Sequence, residues 1–382
     1  MKSAAFGKRK TGILVPIHGS EQTPHGFVPN ALPPEWSWPI DLWPLLLEAH
    51  KALANLNGTG KHLPNPSLIL RPLQRREAQK SSSLEGTYTE PKQQALFELD
   101  PTYPDSADDP VNARREVFNY AEALRHRQSQ RHQLPVSLRL VRDLHRILMD
   151  GVRGSDKNPG EFRTLQNQIG RPARFVPAPP QLLPTLLGDL ENYLHAPRTL
   201  DPLVEAFLVH YQFEAIHPFM DGNGRVGRLL LAILIEEWCS LSGQWLYTSA
   251  YFDSNRDRYL DLLFRVSTKG EWTEWIDFCL RGVVETAKDT QRRCETLVAL
   301  HRDFHDRLRK GAGSVRLAAI VDDLFVTPIA VAARVAQQHG VSYPTARADL
   351  DRLYKAAIVR PLEGASHIAF YCPKIFEVTY AD

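Results

Sequence analysis

Apolar residues recur along most of this chain at the three-to-four spacing of a helix that buries one face. Residues 42–56 show the pattern first, and the cluster Asn57-Gly58-Thr59-Gly60 is expected to stop that helix. A second helix is predicted from residue 66 to 84, with Gly86 at its end, where a left-handed residue commonly closes a helix. Residues 112–131 would bury Val117, Tyr120, Ala121 and Leu124, and residues 136–149 would turn Leu138, Val141, Leu144, Ile147 and Leu148 inward. Helices follow over 182–194, 200–216 and 229–238. Ser254 is placed to cap another, and residues 272–310 make one or two long helices with Trp275, Phe278, Cys279, Val283 and Val284 in the stripe.

Elsewhere the pattern breaks. Residues 1–38 are rich in proline and glycine and read as an extended arm, packed on the body by Trp36 and Trp38. Residues 100–110 form an acidic, proline-rich loop. Alternation over 161–170 and 173–177 around Gly170-Arg171-Pro172 predicts a β-hairpin. Gly311-Ala312-Gly313 marks a boundary. Beyond it come short helices over 315–325, 328–339 and 342–357, then a hairpin of 358–361 and 368–371 around Glu363-Gly364. That order is a winged helix, with residues 343–354 as its recognition-type helix. The fold class is therefore mainly α with a small β-hairpin. Its parts are the arm (1–38), an N-terminal helical region (39–110), a core (111–310) and the winged-helix domain (311–382).

Composition narrows the choices. A length of 382 residues with 43% apolar content allows two or three domains around a real core. A net charge of +2 gives no strong nucleic-acid footprint and no acidic tail. In the winged-helix region Lys/Arg and Asp/Glu balance at seven each, and Asp349 and Asp351 fall in the recognition-type helix. Phosphate-driven affinity needs an excess of cations, so nucleic acid is the disfavoured partner there. Cys239, Cys279, Cys294 and Cys372 show no ligand spacing and read as free thiols of a reducing compartment. The basic start lacks a long apolar run, and no stretch approaches the roughly 18 apolar residues that span a bilayer. A soluble, cytoplasmic protein without membrane contact is expected.

The chemistry gathers in one stretch, His217-Pro218-Phe219-Met220-Asp221-Gly222-Asn223-Gly224-Arg225-Val226-Gly227-Arg228. Gly222 and Gly224 let the backbone aim amides at an anion and let it come close. A helix beginning near Arg225 adds the amides and dipole of its N-terminus. Arg225 and Arg228, three apart, can meet phosphates from one side. Asp221 is a hard ligand suited to Mg2+, which normally binds through one or two carboxylates plus phosphates. His217 titrates near neutrality and can take a proton from an attacking hydroxyl. A Gly-Asn-Gly alone would read as a turn between helices. A base, an acid and two arginines within twelve residues read as a metal–polyphosphate site. His210, two helical turns back, belongs to the core or supports the site from behind.

This stretch resembles the signature of the Fic family, His-x-Phe-x-(Asp/Glu)-Gly-Asn-Gly-Arg-x-x-Arg, at every fixed position, and the resemblance extends over residues 30–310. It implies a Fic-type helical bundle that transfers AMP from ATP to a Ser, Thr or Tyr hydroxyl of a protein, with modification of this chain itself left open. In that reading His217 is the base and Asp221 holds Mg2+. Gly222, Asn223 and Gly224 cradle the phosphorus, Arg225 neutralises pyrophosphate, and Arg228 binds the γ-phosphate. Val226 and Gly227 complete the ATP contacts. Ser81, Glu85 and Gly86 resemble the family's inhibitory pattern (Ser/Thr)-x-x-x-Glu-(Gly/Asn). That likeness implies that Glu85 pairs with Arg228 and displaces the γ-phosphate; read alone, Glu85 is a surface acid at a helix end. The hairpin resembles the flap that holds a target segment by backbone pairing, with Asn167, Gln168, Ile169 and Gly170 as nucleotide neighbours. Where relatives carry Arg-x-x-Tyr-Tyr, this chain has Arg256-Asp257-Arg258-Tyr259-Leu260, so Tyr259 alone remains to reach the nucleoside; a packed helical tyrosine is the alternative. The resemblance also implies a homodimer. Removal of AMP, transfer of another phosphate-containing group, and an ATP-sensing winged-helix regulator of transcription stay open beside AMP transfer.

Overall fold

The helix Pro202–Ile216 is apolar on every side, with Glu214 its least buried member after Pro202, and it demands cover all round. The rest of the chain supplies that cover. The computed structural model describes residues 6, 11–17, 25–61, 66–130, 135–152, 158–170, 173–310, 314–363 and 367–381. Along it come β1 (Gly12–Pro16), β2 (His25–Pro29), α1 (Trp43–Lys61), α2 (Ser67–Leu84), α3 (Pro91–Phe97), α4 (Val111–Ser129) and α5 (Leu138–Leu148). Then follow α6 (Leu183–His195), α7 (Pro202–Ile216), α8 (Asn223–Trp238), α9 (Ser249–Ser254), α10 (Arg256–Lys269) and α11 (Trp272–Lys310). The C-terminal unit holds α12 (Val315–Val326), β3 (Ile329–Val331), α13 (Ala332–Gln338), α14 (Tyr343–Lys355), β4 (Arg360–Pro361), β5 (Ala369–Tyr371) and α15 (Pro373–Tyr380).

The fold is mainly helical, as expected. Helices α6, α8, α10 and α11 and strand β2 surround α7, and α1 lies along α11. Helix α2 sits between the body and the C-terminal unit, against α4, α8 and α9 on one side and α12 and α15 on the other. Its buried Arg75 ties the two together: Nε donates to Glu98 Oε2 at 2.6 Å and Nη1 to the carbonyl of Val326 at 2.5 Å. Asp201 caps α7, its Oδ1 accepting from Leu203 N at 2.9 Å, with Pro202 in the first turn, where a missing N–H costs nothing. None of the described helices is long and apolar enough to cross a membrane.

Several expectations need correction. The arm's extended stretches are not loose: β1 and β2 pair antiparallel, Gly12 opposite Pro29, and Phe27 is buried with its N–H on the carbonyl of Val176 at 2.8 Å. The flap hairpin is reduced to one antiparallel bridge, Ile169 with Phe175, while Pro177 bridges β2 at Phe27; Arg171 and Pro172 of its turn lie outside the described residues, as do 311–313 and Gly364. Ser254 ends α9 and caps nothing, and α10 follows from Asn255. The helix expected over 328–339 begins as β3, because Ile329, Ala330 and Val331 pair with Tyr371, Phe370 and Ala369. The C-terminal sheet has the order β3-β5-β4, and α15 extends the unit beyond the hairpin. Asp349 presents no charge to a partner: it is buried and paired with Arg316 at 2.5 Å.

Helix α1 also runs through the Asn57–Gly60 cluster to Lys61. Asn57 holds a neighbouring loop instead of ending the helix, its Oδ1 accepting from the N and Oγ of Ser242, both at 2.8 Å. Gly60 is there for space: a Cβ would collide with the indole of Trp245. Alanine in place of a helical glycine ordinarily stabilises by up to about 1 kcal/mol. Gly60→Ala is expected to do the reverse, destabilising by about 1–3 kcal/mol through overpacking, seen as a lower urea midpoint at unchanged slope.

Candidate functional site

The loop from α7 to α8 is held by its own polar groups. Asn223 Oδ1 accepts from Phe219 N and its Nδ2 donates to the carbonyl of Phe219, both at 2.8 Å. Asp221 Oδ1 accepts from Gly222 N at 2.7 Å, and Gly222 takes the left-handed conformation (φ 76°) that suits a residue without Cβ. Helix α8 starts at Asn223, two residues earlier than expected, so its first amides face the loop.

Two residues that the sequence did not single out brace the loop from below. The ring of His145, on α5, stacks flat on Phe219 with centroids 3.8 Å apart and planes 2° from parallel. Its Nδ1 accepts from Gly160 N at 2.8 Å, so the proton sits on Nε2, which donates to the carbonyl of Asp221 at 3.1 Å. Burial, with Arg225 nearby, pushes this imidazole down to about 4 and keeps it neutral. Arg163 clamps the other side: its N donates to the Pro218 carbonyl at 2.8 Å, Nε to that of His217 at 2.9 Å and Nη2 to that of Ala178 at 2.6 Å. Nothing in the local pattern marks either residue, since the loop backbone that each braces lies more than fifty residues away.

His217 itself closes α7 in the left-handed region (φ 52°, ψ 61°), a conformation costing a non-glycine residue on the order of 1 kcal/mol and held here by Arg163 and the packed loop. Its Nδ1 donates to the carbonyl of Glu214 at 3.3 Å, which leaves Nε2 as the unprotonated nitrogen. Burial and then the charge of Arg163 depress the ring to about 4. It is a neutral base at physiological pH.

The expected pair is present. Glu85, just past the end of α2, accepts from Arg228 Nη2 at 2.7 Å. Arg228 is buried and also donates from Nε to Ser81 Oγ at 2.8 Å and from Nη2 to the Ser81 carbonyl at 2.9 Å. Burial works against both charges, yet each partner outweighs it: Arg228 holds the Glu85 carboxyl below its usual range, and Glu85 holds the guanidinium above its own. The carboxylate lies directly over Gly224, where any Cβ would strike its Oε1.

Glu85, His217, Gly224 and Arg228 share one cavity of about 330 Å³. Its polar end is formed by these groups and its apolar end by Ile169, Phe175, Leu260, Leu263 and Phe264. Other expected residues sort unevenly around it. Ile169 and Gly170 line it; Gln168 does not, and Asn167 instead donates from Nδ2 to the Phe219 carbonyl at 2.9 Å. Tyr259 lines it, but its hydroxyl is spent on His210 Nε2 at 2.9 Å. His210 in turn donates from Nδ1 to the Gly227 carbonyl at 3.1 Å, and burial depresses it to about 3, so it is a core histidine as expected. Val226 is fully buried in the core and does not line the cavity. Arg225 is turned into the body, paired with buried Glu116 at 3.4 Å; its Nε finds no hydrogen-bond partner among the described residues. Gly227 makes room for Glu214, whose Oε1 is likewise buried without a partner and whose carboxyl is pushed by burial up to about 7. Glu214 lines the cavity and was not anticipated.

This geometry agrees with what comparison with other proteins shows. Residues 135–235 match the Fic/DOC family, and residues 43–128 match the Fic/DOC family N-terminal segment. Over these two segments the chain belongs to the Fic/DOC family. The protein named "Probable protein adenylyltransferase aq_aa38" of Aquifex aeolicus is 41% identical over 92 residues, 24% of this chain and 26% of that protein. Protein adenylyltransferase fic-1 of Caenorhabditis elegans is 33% identical over 102 residues, 26% of this chain and 19% of the relative. The matched part thus spans about a quarter or less of these curated relatives. Among solved structures, a Fic family protein from Desulfovibrio desulfuricans G20 gives a TM-score of 0.57 at 20% identity, covering 89% of this chain and 98% of that one. Fic-1 of C. elegans gives 0.51 at 20% identity over 66% and 72%. At such identities these structures are alike in fold.

The buried histidines set a pH dependence. His145 and His210 have folded values of about 4 and about 3 against an ordinary 6.5. Their contribution to stability is complete above pH 6.5 and is lost as the pH falls from there towards 4, at up to about 1.4 kcal/mol per unit for each. Glu214, raised to about 7 from an ordinary 4.5, works in the opposite direction, its contribution fading as the pH rises through that range. The urea midpoint is therefore expected to drop between pH 6.5 and 5, and to drop more steeply in Glu214→Gln.

Proposed function

We propose that this chain is a protein adenylyltransferase that moves AMP from ATP to a side-chain hydroxyl of a protein, restrained by Glu85. The observation that carries the reading is the 2.7 Å contact between Glu85 and buried Arg228, directly over Gly224 and in one cavity with His217. A buried guanidinium requires an anion, and the anion now beside it belongs to the chain. ATP in its productive pose would bring a γ-phosphate to the same guanidinium, so Glu85 and that phosphate compete.

With Glu85 withdrawn, His217 Nε2 accepts the proton of the target hydroxyl while the oxygen attacks the α-phosphorus. The bond from that phosphorus to the β-phosphate oxygen breaks and pyrophosphate leaves. The first amides of α8 face the developing negative charge. Asp221 would hold Mg2+, which normally binds through one or two carboxylates plus phosphates, and the ion would supply charge neutralisation for the phosphates. The apolar end of the cavity takes the adenine. A target segment would lie along residues 167–170, where backbone pairing tolerates varied side chains. The names of the curated relatives, all protein adenylyltransferases, support the same chemistry.

ATP labelled at the α- or the γ-phosphate separates the possibilities. Glu85→Gly is expected to raise transfer of α-label into protein by on the order of ten-fold, what about 1.4 kcal/mol of restored contact to a charged group supplies after allowing for the partial exposure of Glu85. Glu85→Gly combined with His217→Ala is expected to lose the label. Transfer of γ-label alone would make the protein a kinase, and absence of both labels with a folded protein present would remove the proposal.

A further inference from the structure

A second cluster of chemically active side chains lies away from the cavity, where the body meets the C-terminal unit. His301 and His305 are one helical turn apart on α11 and present their rings on the same face, centroids 4.3 Å apart. Asp322, on α12, reaches between them. His301 Nε2 lies 2.7 Å and His305 Nε2 2.9 Å from the same oxygen, Asp322 Oδ1, and the two nitrogens are 3.1 Å from each other. Three ligand atoms thus converge on one point from two helices.

Hydrogen bonding accounts for this triangle only if both imidazoles carry their proton on Nε2, and then two N–H dipoles stand side by side on one oxygen. If either proton sits on Nδ1, lone pairs face each other. A divalent cation satisfies all three atoms at once. A tetrahedral ion with bonds of about 2.0–2.1 Å holds its ligands roughly 3.3 Å apart, so the observed triangle needs to open by only a few tenths of an ångström. We propose that His301, His305 and Asp322 form a binding site for a transition-metal dication of the zinc class, which clasps α11 to α12. Two imidazoles with one carboxylate suit Zn2+, Co2+, Ni2+ or Cu2+ and not the oxygen-seeking Mg2+. The side chains keep 30%, 21% and 44% of their exposure, which leaves a fourth position open to water. The site joins α11 to α12, so the metal would act as a cross-link between the long helix and the unit that follows it.

The test uses the full chain, untagged, stripped with chelator and dialysed, with Co2+ and Zn2+ as the probes. Wild type is expected to take up one equivalent of Co2+ with the visible absorption of a low-coordinate, nitrogen-ligated ion, and Zn2+ should displace it and raise the melting temperature. His305→Ala and Asp322→Asn should each weaken Zn2+ binding by about a hundred-fold or more, while the metal-free variants melt with metal-free wild type. Asp322→Asn is the milder change and carries the test if the histidine variant does not fold. Asp221→Asn should bind Zn2+ as wild type does. Failure of wild type to bind either ion at tens of micromolar, or binding unchanged in the variants, would overturn the site and leave a cluster held by protons alone.

Discussion

Arg228 is a full positive charge at the heart of a helical body, and a buried cation without a counter-charge is among the most costly things a fold can contain. Around it the structure gathers one carboxylate, one hydroxyl and one carbonyl, all from the end of α2. The helix whose end reaches into the cavity is therefore also the helix that makes the arginine tolerable. Any group that took Glu85's place would have to bring negative charge of its own to meet the buried guanidinium.

The loop facing Arg228 is rigid for a different reason. Its turns are fixed by short bonds from Asn223 and Asn167 to a single residue, Phe219, and by the His145 ring laid on the same side chain. Arg163 spans three carbonyls beneath it. With so many contacts on so few residues, the strained backbone of His217 is over-determined and its ring is held in place in advance. The neutral state of His145 matters here, because only the form with a free Nδ1 can accept from Gly160 while donating to Asp221.

How much of this was legible in the sequence depended on distance along the chain. The loop, α7, α8 and the long α11 were readable because their signals are local: glycines, a spaced base and acid, an uninterrupted apolar face. Glu85 and Arg228 lie far apart in sequence, and only a family resemblance joined them; by periodicity Glu85 was a surface acid. His145, Arg163, Glu116 and Glu214 were invisible because each gains its role from a partner on another element. The Gly60 error has the same origin. A glycine signals a stop when read alone, but here it yields space to an indole almost two hundred residues on. The reduced flap and the unexpected β3 show that short alternating or mixed runs take their state from whichever edge is free to pair, a tertiary choice that the pattern does not encode.

Helix α2 carries two different attachments, one at its middle and one at its C-terminal end. Near its C-terminus Ser81 and Glu85 hold Arg228; six residues before Ser81, about 9 Å back along the axis, Arg75 holds the last turn of α12 through the carbonyl of Val326. The cavity and the C-terminal unit are thus read by the same rod. A ligand that moved α12 would pull on the same helix that carries Ser81 and leads to Glu85, and any coupling so transmitted would act equally in both directions. The C-terminal unit is thus no appendage: Arg75 fastens it to the same helix whose end supplies the counter-charge of Arg228.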